Sequence, residues 1–131
     1  MGAPWIGFDL DGTLAQYDGW AGPTEIGEPI WKMIYVVKAI IDTPVHGIEV
    51  KIMTARVSVP EQADECRAAI QDWCERHIGA RLEVVCCKDL DMLLLYDDRA
   101  ITVEKNTGRI LTAPQAGVVA LGNSFRKPDE D

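Results

Sequence analysis

The stretch Phe8-Asp9-Leu10-Asp11-Gly12-Thr13-Leu14 decides the reading of this chain, because it places two carboxylates and a hydroxyl at the end of a short apolar run. Pro4-Trp5-Ile6-Gly7-Phe8 has the length and the bounding turn residues of a buried strand and is too short for a helix. Gly12 breaks that strand, so Asp9 and Asp11 fall where the chain leaves the sheet, the edge at which open α/β sheets bind ligands. Residues two apart in a strand point to the same side. Two carboxylates held that close repel unless a proton or a divalent cation lies between them. The spacing therefore marks a candidate site.

Working outward, three further apolar runs each deliver a polar residue at their C-terminal end. Ile48-Glu49-Val50-Lys51-Ile52-Met53 leads to Thr54, and Leu82-Glu83-Val84-Val85-Cys86-Cys87 leads to Lys88. Met92-Leu93-Leu94-Leu95-Tyr96 leads to the adjacent pair Asp97 and Asp98. If these strands are parallel, Asp9, Asp11, Thr54, Lys88, Asp97 and Asp98 converge on one edge of one sheet.

Such a set has a definite chemistry. Several carboxylates make a hard, oxygen-rich site suited to Mg²⁺, which binds one or two carboxylates together with substrate phosphate. A lysine supplies a compact positive charge and a threonine a neutral donor for phosphoryl oxygens. An aspartate can act as nucleophile and form an aspartyl-phosphate. Phosphoryl transfer mainly needs an in-line nucleophile and positive charge around the equatorial oxygens.

The order DxDGT, then Thr, then Lys, then Asp-Asp resembles the four signature motifs of the haloacid dehalogenase-like (HAD) superfamily of phosphotransferases, over about residues 5–99. The resemblance implies a single α/β, Rossmann-like domain with a mostly parallel central sheet flanked by helices. It implies Asp9 as nucleophile and Asp11 as general acid/base, with Thr54 and Lys88 holding the phosphoryl group. Asp9, the Asp11 backbone carbonyl and Asp97 would hold Mg²⁺, with Asp98 in support. Gly12 and Thr13 in the turn become candidate substrate contacts. The implied activity is phosphomonoester hydrolysis, since the second aspartate, Asp11, marks the phosphatase and mutase branches. The string Tyr96-Asp97-Asp98-Arg99-Ala100 is also similar to small HAD proteins of bacterial and phage genomes, and its DDR element to the phosphatase half of phage polynucleotide kinase–phosphatases. Phosphorylated small molecules, nucleotides and polynucleotide 3′-phosphates are therefore all candidate substrates.

A receiver-like signalling module is the alternative from another class, since it also uses an acidic pair, Thr and Lys. Its order differs: there the acidic pair comes first and the lysine last, whereas here Lys88 precedes Asp97-Asp98. Only Asp89, Leu90 and Asp91 separate Lys88 from the next apolar run, too few for a helical crossover. The third and fourth strands then need not be neighbours: the HAD resemblance implies that they lie on opposite sides of the first two, bridged by an extended segment or a single helical turn.

The segments between motifs hold one helix each, so no large cap domain is expected. Helical spacing predicts one helix over 28–41, ending before Pro44, and a second from Ser58 and Pro60 to Gly79. The loop Ala15-Gln16-Tyr17-Asp18-Gly19-Trp20-Ala21-Gly22-Pro23 is the one obvious lid. Tyr17 and Trp20 on it, with Arg56 beside Thr54, are candidate substrate contacts beyond the phosphoryl group. Packing of both aromatics onto the domain is the competing reading. Residues 101–111 read as a hairpin or edge strand with a turn at Lys105-Asn106-Thr107-Gly108, and the tail from about 124 as frayed.

Composition sets the outer bounds. At 131 residues the chain suits one domain with a real core, and its apolar and charged fractions are ordinary. A formal charge of −8 argues against a nucleic-acid scaffold, whose surfaces are usually basic, although local basic patches near Arg56 and Arg99 keep nucleic acid among the candidates. No run has the length of a membrane helix and the N-terminus has no signal-peptide pattern, which reads as cytoplasmic with no membrane partner. A second copy of the chain could close so open a site. Cys66, Cys74, Cys86 and Cys87 form no CxxC pair and read as reduced thiols, Cys86-Cys87 inside a buried strand. Cys74 and His77 have half of a zinc-site spacing, with Cys66 and His46 as arguable further donors, but core cysteines are the favoured reading.

Overall fold

A computed structural model of the protein describes residues 2–43 and 47–112; His46 and the tail expected to fray lie outside the described residues. The elements in chain order are β1 (Trp5–Phe8), α1 (Trp31–Asp42), β2 (Glu49–Met53), a 3₁₀ turn (Ala55–Val57), α2 (Pro60–His77), β3 (Glu83–Val85) and β4 (Met92–Tyr96). The strands form one four-stranded sheet in the order β3-β2-β1-β4, with every pairing parallel. The protein is thus α/β with a parallel sheet and two helices, an arrangement compatible with a Rossmann-like fold. As expected, β3 and β4 lie on opposite sides of the first two strands.

The chain falls into two compact units, Met1–Asp98 and Arg99–Asp131. The first contains the sheet, both helices and the residues Asp9, Asp11, Thr54, Lys88, Asp97 and Asp98. Of the second, the described part is the expected hairpin: Val103 bridges Ile110, Glu104 N–H donates to Arg109 C=O at 2.7 Å, and Leu111 N–H donates to Thr102 C=O at 2.8 Å. Asn106 and Gly108 turn it with positive φ values of 68° and 82°.

The core follows from the apolar faces of the sheet and helices. Phe8 and Ile52 are register partners on adjacent strands and both are fully buried. They join Leu10 and Leu14 from the turn after β1, Ile34 and Val37 from α1, and Cys66, Ile70, Trp73 and Cys74 from α2. Each such aliphatic or aromatic side chain contributes about 1.5–3 kcal/mol on burial. Pro60 opens α2 within its first turn, where its missing N–H costs nothing, and Gly79 follows the helix at φ 91°.

Two element ends differ from the sequence reading. α1 begins at Trp31 rather than 28, because the residues before it run extended against the turn after β1. Gln16 N–H donates to Glu28 C=O at 2.8 Å, Ile30 N–H donates to Leu14 C=O at 2.7 Å, and Ala15 bridges Pro29. β3 stops at Val85 because its partner β2 stops at Met53, the residue paired with it. Cys86 and Cys87 are therefore exposed free thiols and not strand residues. No described helix is long and apolar enough to cross a membrane.

Candidate active site

Register is what assembles the site. Phe8 is level with Tyr96 across the β1–β4 pairing, and Asp9 N–H donates to Tyr96 C=O at 2.9 Å, so Asp9 and Asp97 leave adjacent strands side by side. Thr13 then folds the two ends together. Its hydroxyl oxygen accepts from the Asp98 backbone N–H at 3.1 Å and lies 3.2 Å from Asp98 Oδ1 and 3.4 Å from Asp9 Oδ2, either of which can take its proton. Gly12 is required here on two counts. Its φ is 88°, and a Cβ would stand 2.5 Å from Asp98 Oδ2. The result is that Asp9, Asp97 and Asp98 each bring a carboxylate oxygen to within 4.8 Å of the others.

That crowding is visible in the proton affinity of Asp9. Burial, the hydrogen bond with Asp98 and the negative charges of Asp97 and Asp98 push its pKa up from 3.8 to about 7, against a lowering contribution from the Leu10 backbone N–H. A half-buried carboxylate beside two more is a site for positive charge. Among the described residues this is the one His, Cys, Asp or Glu group close enough to share an ion. All its donors are oxygens, which suits a hard divalent cation.

Asp11 faces a different partner. The Arg56 guanidinium grips it bidentately, Nε to Oδ2 at 2.7 Å and Nη2 to Oδ1 at 2.9 Å, with the arginine side chain only 4% exposed and the aspartate's 18%. Nη2 also donates to Glu25 C=O at 2.9 Å and Nη1 to Gly22 C=O at 3.4 Å, while the Trp20 ring lies 4.9 Å from the guanidinium carbon. Thr54 is buried one step beyond β2. Its N–H donates to Val85 C=O at 2.8 Å and its hydroxyl accepts the Arg56 N–H at 3.2 Å.

The loop after the first motif is a built strap rather than a slack connection. Besides the two Arg56 bonds, its residues are held by the Gln16–Glu28 bond at its neck and by Trp73 Nε1–H donating to Gly27 C=O at 3.1 Å. Gly27 cannot carry a Cβ, which would collide with the Gln16 carbonyl. Tyr17 and Trp20 stand at its tip, 39% and 51% exposed.

Lys88 is exposed, and among the described residues no hydrogen bond or ion pair involves it. Its neighbours run back toward the start of the sheet: Asp89 Oδ1 accepts from Trp5 Nε1 at 2.8 Å and Asp91 C=O from Trp5 N–H at 3.0 Å. Trp5 opens β1 while Asp9 follows its end, about 13 Å away at strand rise. The segment 86–91 makes this return in bends and one turn, without a helix. The structure thus joins Asp9, Asp97, Asp98 and Thr13 in one cluster and Asp11 with Arg56 and the strap beside it, and leaves Lys88 untied.

The zinc alternative gains nothing from the geometry. Cys66 and Cys74 are fully buried core residues, and burial pushes the Cys74 thiol up to about 12. His77 packs edge-on against Trp73 and Trp31, at centroid distances of 4.8 and 6.1 Å.

The fold and this cluster define a class: an α/β protein with convergent carboxylates at the carboxyl edge of a parallel sheet. No protein-family model, curated protein or solved structure matches the chain.

Proposed function

We propose that the protein is a Mg²⁺-dependent phosphomonoester hydrolase of the HAD type, acting through an aspartyl-phosphate on Asp9. The observation that carries this reading is the convergence of Asp9, Asp97 and Asp98 within 4.8 Å at the ends of β1 and β4, inside a DxDGT turn. Three carboxylates of this kind fit Mg²⁺, with the Asp11 carbonyl as a further oxygen. When bound, the ion would offset their repulsion and draw charge from the phosphoryl oxygens.

The chain's own residues divide the work as follows. An Asp9 carboxylate oxygen bonds to phosphorus while the ester oxygen leaves, taking a proton from Asp11, one oxygen of which must leave the Arg56 fork to carry that proton. Water then attacks the phosphorus of the acyl phosphate, passing a proton to Asp11, and the Asp9–phosphorus bond breaks to release phosphate. Thr54 keeps its O–H free to donate, because the Arg56 N–H uses the hydroxyl only as acceptor. Lys88, exposed on the segment after β3, is the residue the HAD resemblance offers for positive charge at the phosphoryl oxygens.

Among the described residues the strap and α1 separate the first two motifs, and a 3₁₀ turn and α2 the second and third, with no inserted cap domain between them, which favours large phosphate esters as substrates. A panel of phosphorylated metabolites, nucleotides and 3′-phosphorylated oligonucleotides, assayed with Mg²⁺, tests the reading. Phosphate release should require the metal and vanish in Asp9→Asn. Release by that variant at the wild-type rate would exclude Asp9 as nucleophile.

A further inference from the structure

The sequence offers Arg56 as a substrate contact, but its surroundings argue for another task. A guanidinium has five N–H donors. Four of those of Arg56 are in use: two on Asp11, one on Glu25 C=O and one on Gly22 C=O. Its charge faces the Asp11 carboxylate, Trp20 covers one face, and 4% of the side chain is exposed. An arginine that recognises phosphate presents a free fork for two parallel hydrogen bonds. Here that fork is spent on Asp11.

We propose that Arg56 is a positioning residue, which fixes the Asp11 carboxylate and clamps the strap of residues 16–28 so that the two hold or release together. The inference rests on the phosphatase reading for the role of Asp11, while the clamp itself stands on contacts alone. The mechanical logic is simple. Nη2 bonds both Asp11 Oδ1 and Glu25 C=O, so the guanidinium cannot follow one partner without straining its bond to the other. Trp20 sits on the same group, which ties the exposed tip of the strap to the acid/base residue. The Arg56 backbone N–H, bonded to Thr54, survives any side-chain change at this position. Variants at 56 therefore probe the clamp without removing that bond to Thr54.

The test has two arms. The first follows amide hydrogen exchange of residues 16–28 in the full chain, without substrate, for wild type, Arg56→Gln, Arg56→Lys and Asp11→Asn. A clamp predicts faster exchange in the strap in all three variants, with α2 and the sheet unchanged in Arg56→Lys even if Arg56→Gln loosens the whole fold. Strap exchange at the wild-type rate in Asp11→Asn or Arg56→Lys would overturn the coupling. The second arm is kinetic, on the best substrate of the panel. Arg56→Lys should lower kcat by about tenfold or more with KM within about twofold, and the same change in an Asp11→Asn background should cost less than about twofold further. A rise in KM that persists in the Asp11→Asn background would return Arg56 to substrate binding and overturn the proposal. A wild-type protein inactive on every ester would defeat the phosphatase reading, and the exchange arm would still decide the clamp.

Discussion

Neutralising Asp9 should stabilise the metal-free protein, by an amount that grows with pH. Burial, the Asp98 hydrogen bond and the charges of Asp97 and Asp98 hold the folded-state pKa of Asp9 at about 7, against 3.8 for an ordinary aspartate. Because the folded value is raised, the native state binds more protons than the unfolded chain between those two pH values, and stability falls as pH rises through that window. Below it both states carry the proton and the cost disappears; above it the cost is complete. About three pH units at about 1.4 kcal/mol each set a ceiling of about 4 kcal/mol. The carboxylate is partly exposed and water screens it, so about 2 kcal/mol is the expected size. Urea unfolding of wild type and Asp9→Asn in EDTA, at pH 4.5 and pH 8, measures it. The variant should be ahead by about 1 kcal/mol at pH 4.5, where the unfolded aspartate is already mostly ionised, and by about 2 kcal/mol at pH 8, a midpoint shift there of roughly 1 M urea. An equal gap at both pH values, or a less stable variant at pH 8, would refute the claim that this carboxylate is held against its charge.

Two other outcomes follow from the same geometry. Mg²⁺ should raise the melting temperature, by about 2.7 kcal/mol of stability at a hundredfold excess over Kd, and Asp97→Ala should remove that increment; thermal scans across millimolar Mg²⁺ check both. Asp11→Asn should slow the first half-reaction more for alkyl than for aryl phosphates, because only the poorer leaving group needs the proton; single-turnover rates that fall equally for both would remove Asp11 from that role.

Much of the fold was legible because its strands end in the residues that make the site. β4 runs over Met92–Tyr96 as its apolar run implies, and the short link between Lys88 and Met92 spoke against β3 and β4 as neighbours, while their place on opposite sides came from the HAD resemblance. The misread ends have physical causes that act at a distance along the chain. A strand lasts only as long as its partner, so Val84-Val85-Cys86-Cys87 could not reveal that β2 gives out opposite Val85. Nor could Glu28-Pro29-Ile30 show that Leu14 and Gln16 would hold those residues extended instead of letting α1 start.

The carboxylate cluster was readable from DxDGT and Asp97-Asp98, since parallel register alone sets Asp9 beside Asp97. The Arg56–Asp11 pair was not. An arginine two residues past a strand end has many possible partners, and the signal available was its place beside Thr54, which suggested substrate. Its burial depends on the strap folding over it, a tertiary event that spacing does not encode. The contact of Asp89 with Trp5 escaped for the same reason: the indole donor and the carboxylate are 84 residues apart.

The central claim is that phosphate passes through Asp9. The direct measurement is to quench the protein during turnover of its best ester with Mg²⁺, reduce with borohydride and map the peptides. An acyl phosphate on an aspartate is reduced to homoserine, so position 9 should carry homoserine only when substrate and metal were both present. Turnover with position 9 still aspartate, and homoserine at position 11 or 97 or nowhere, would contradict the account.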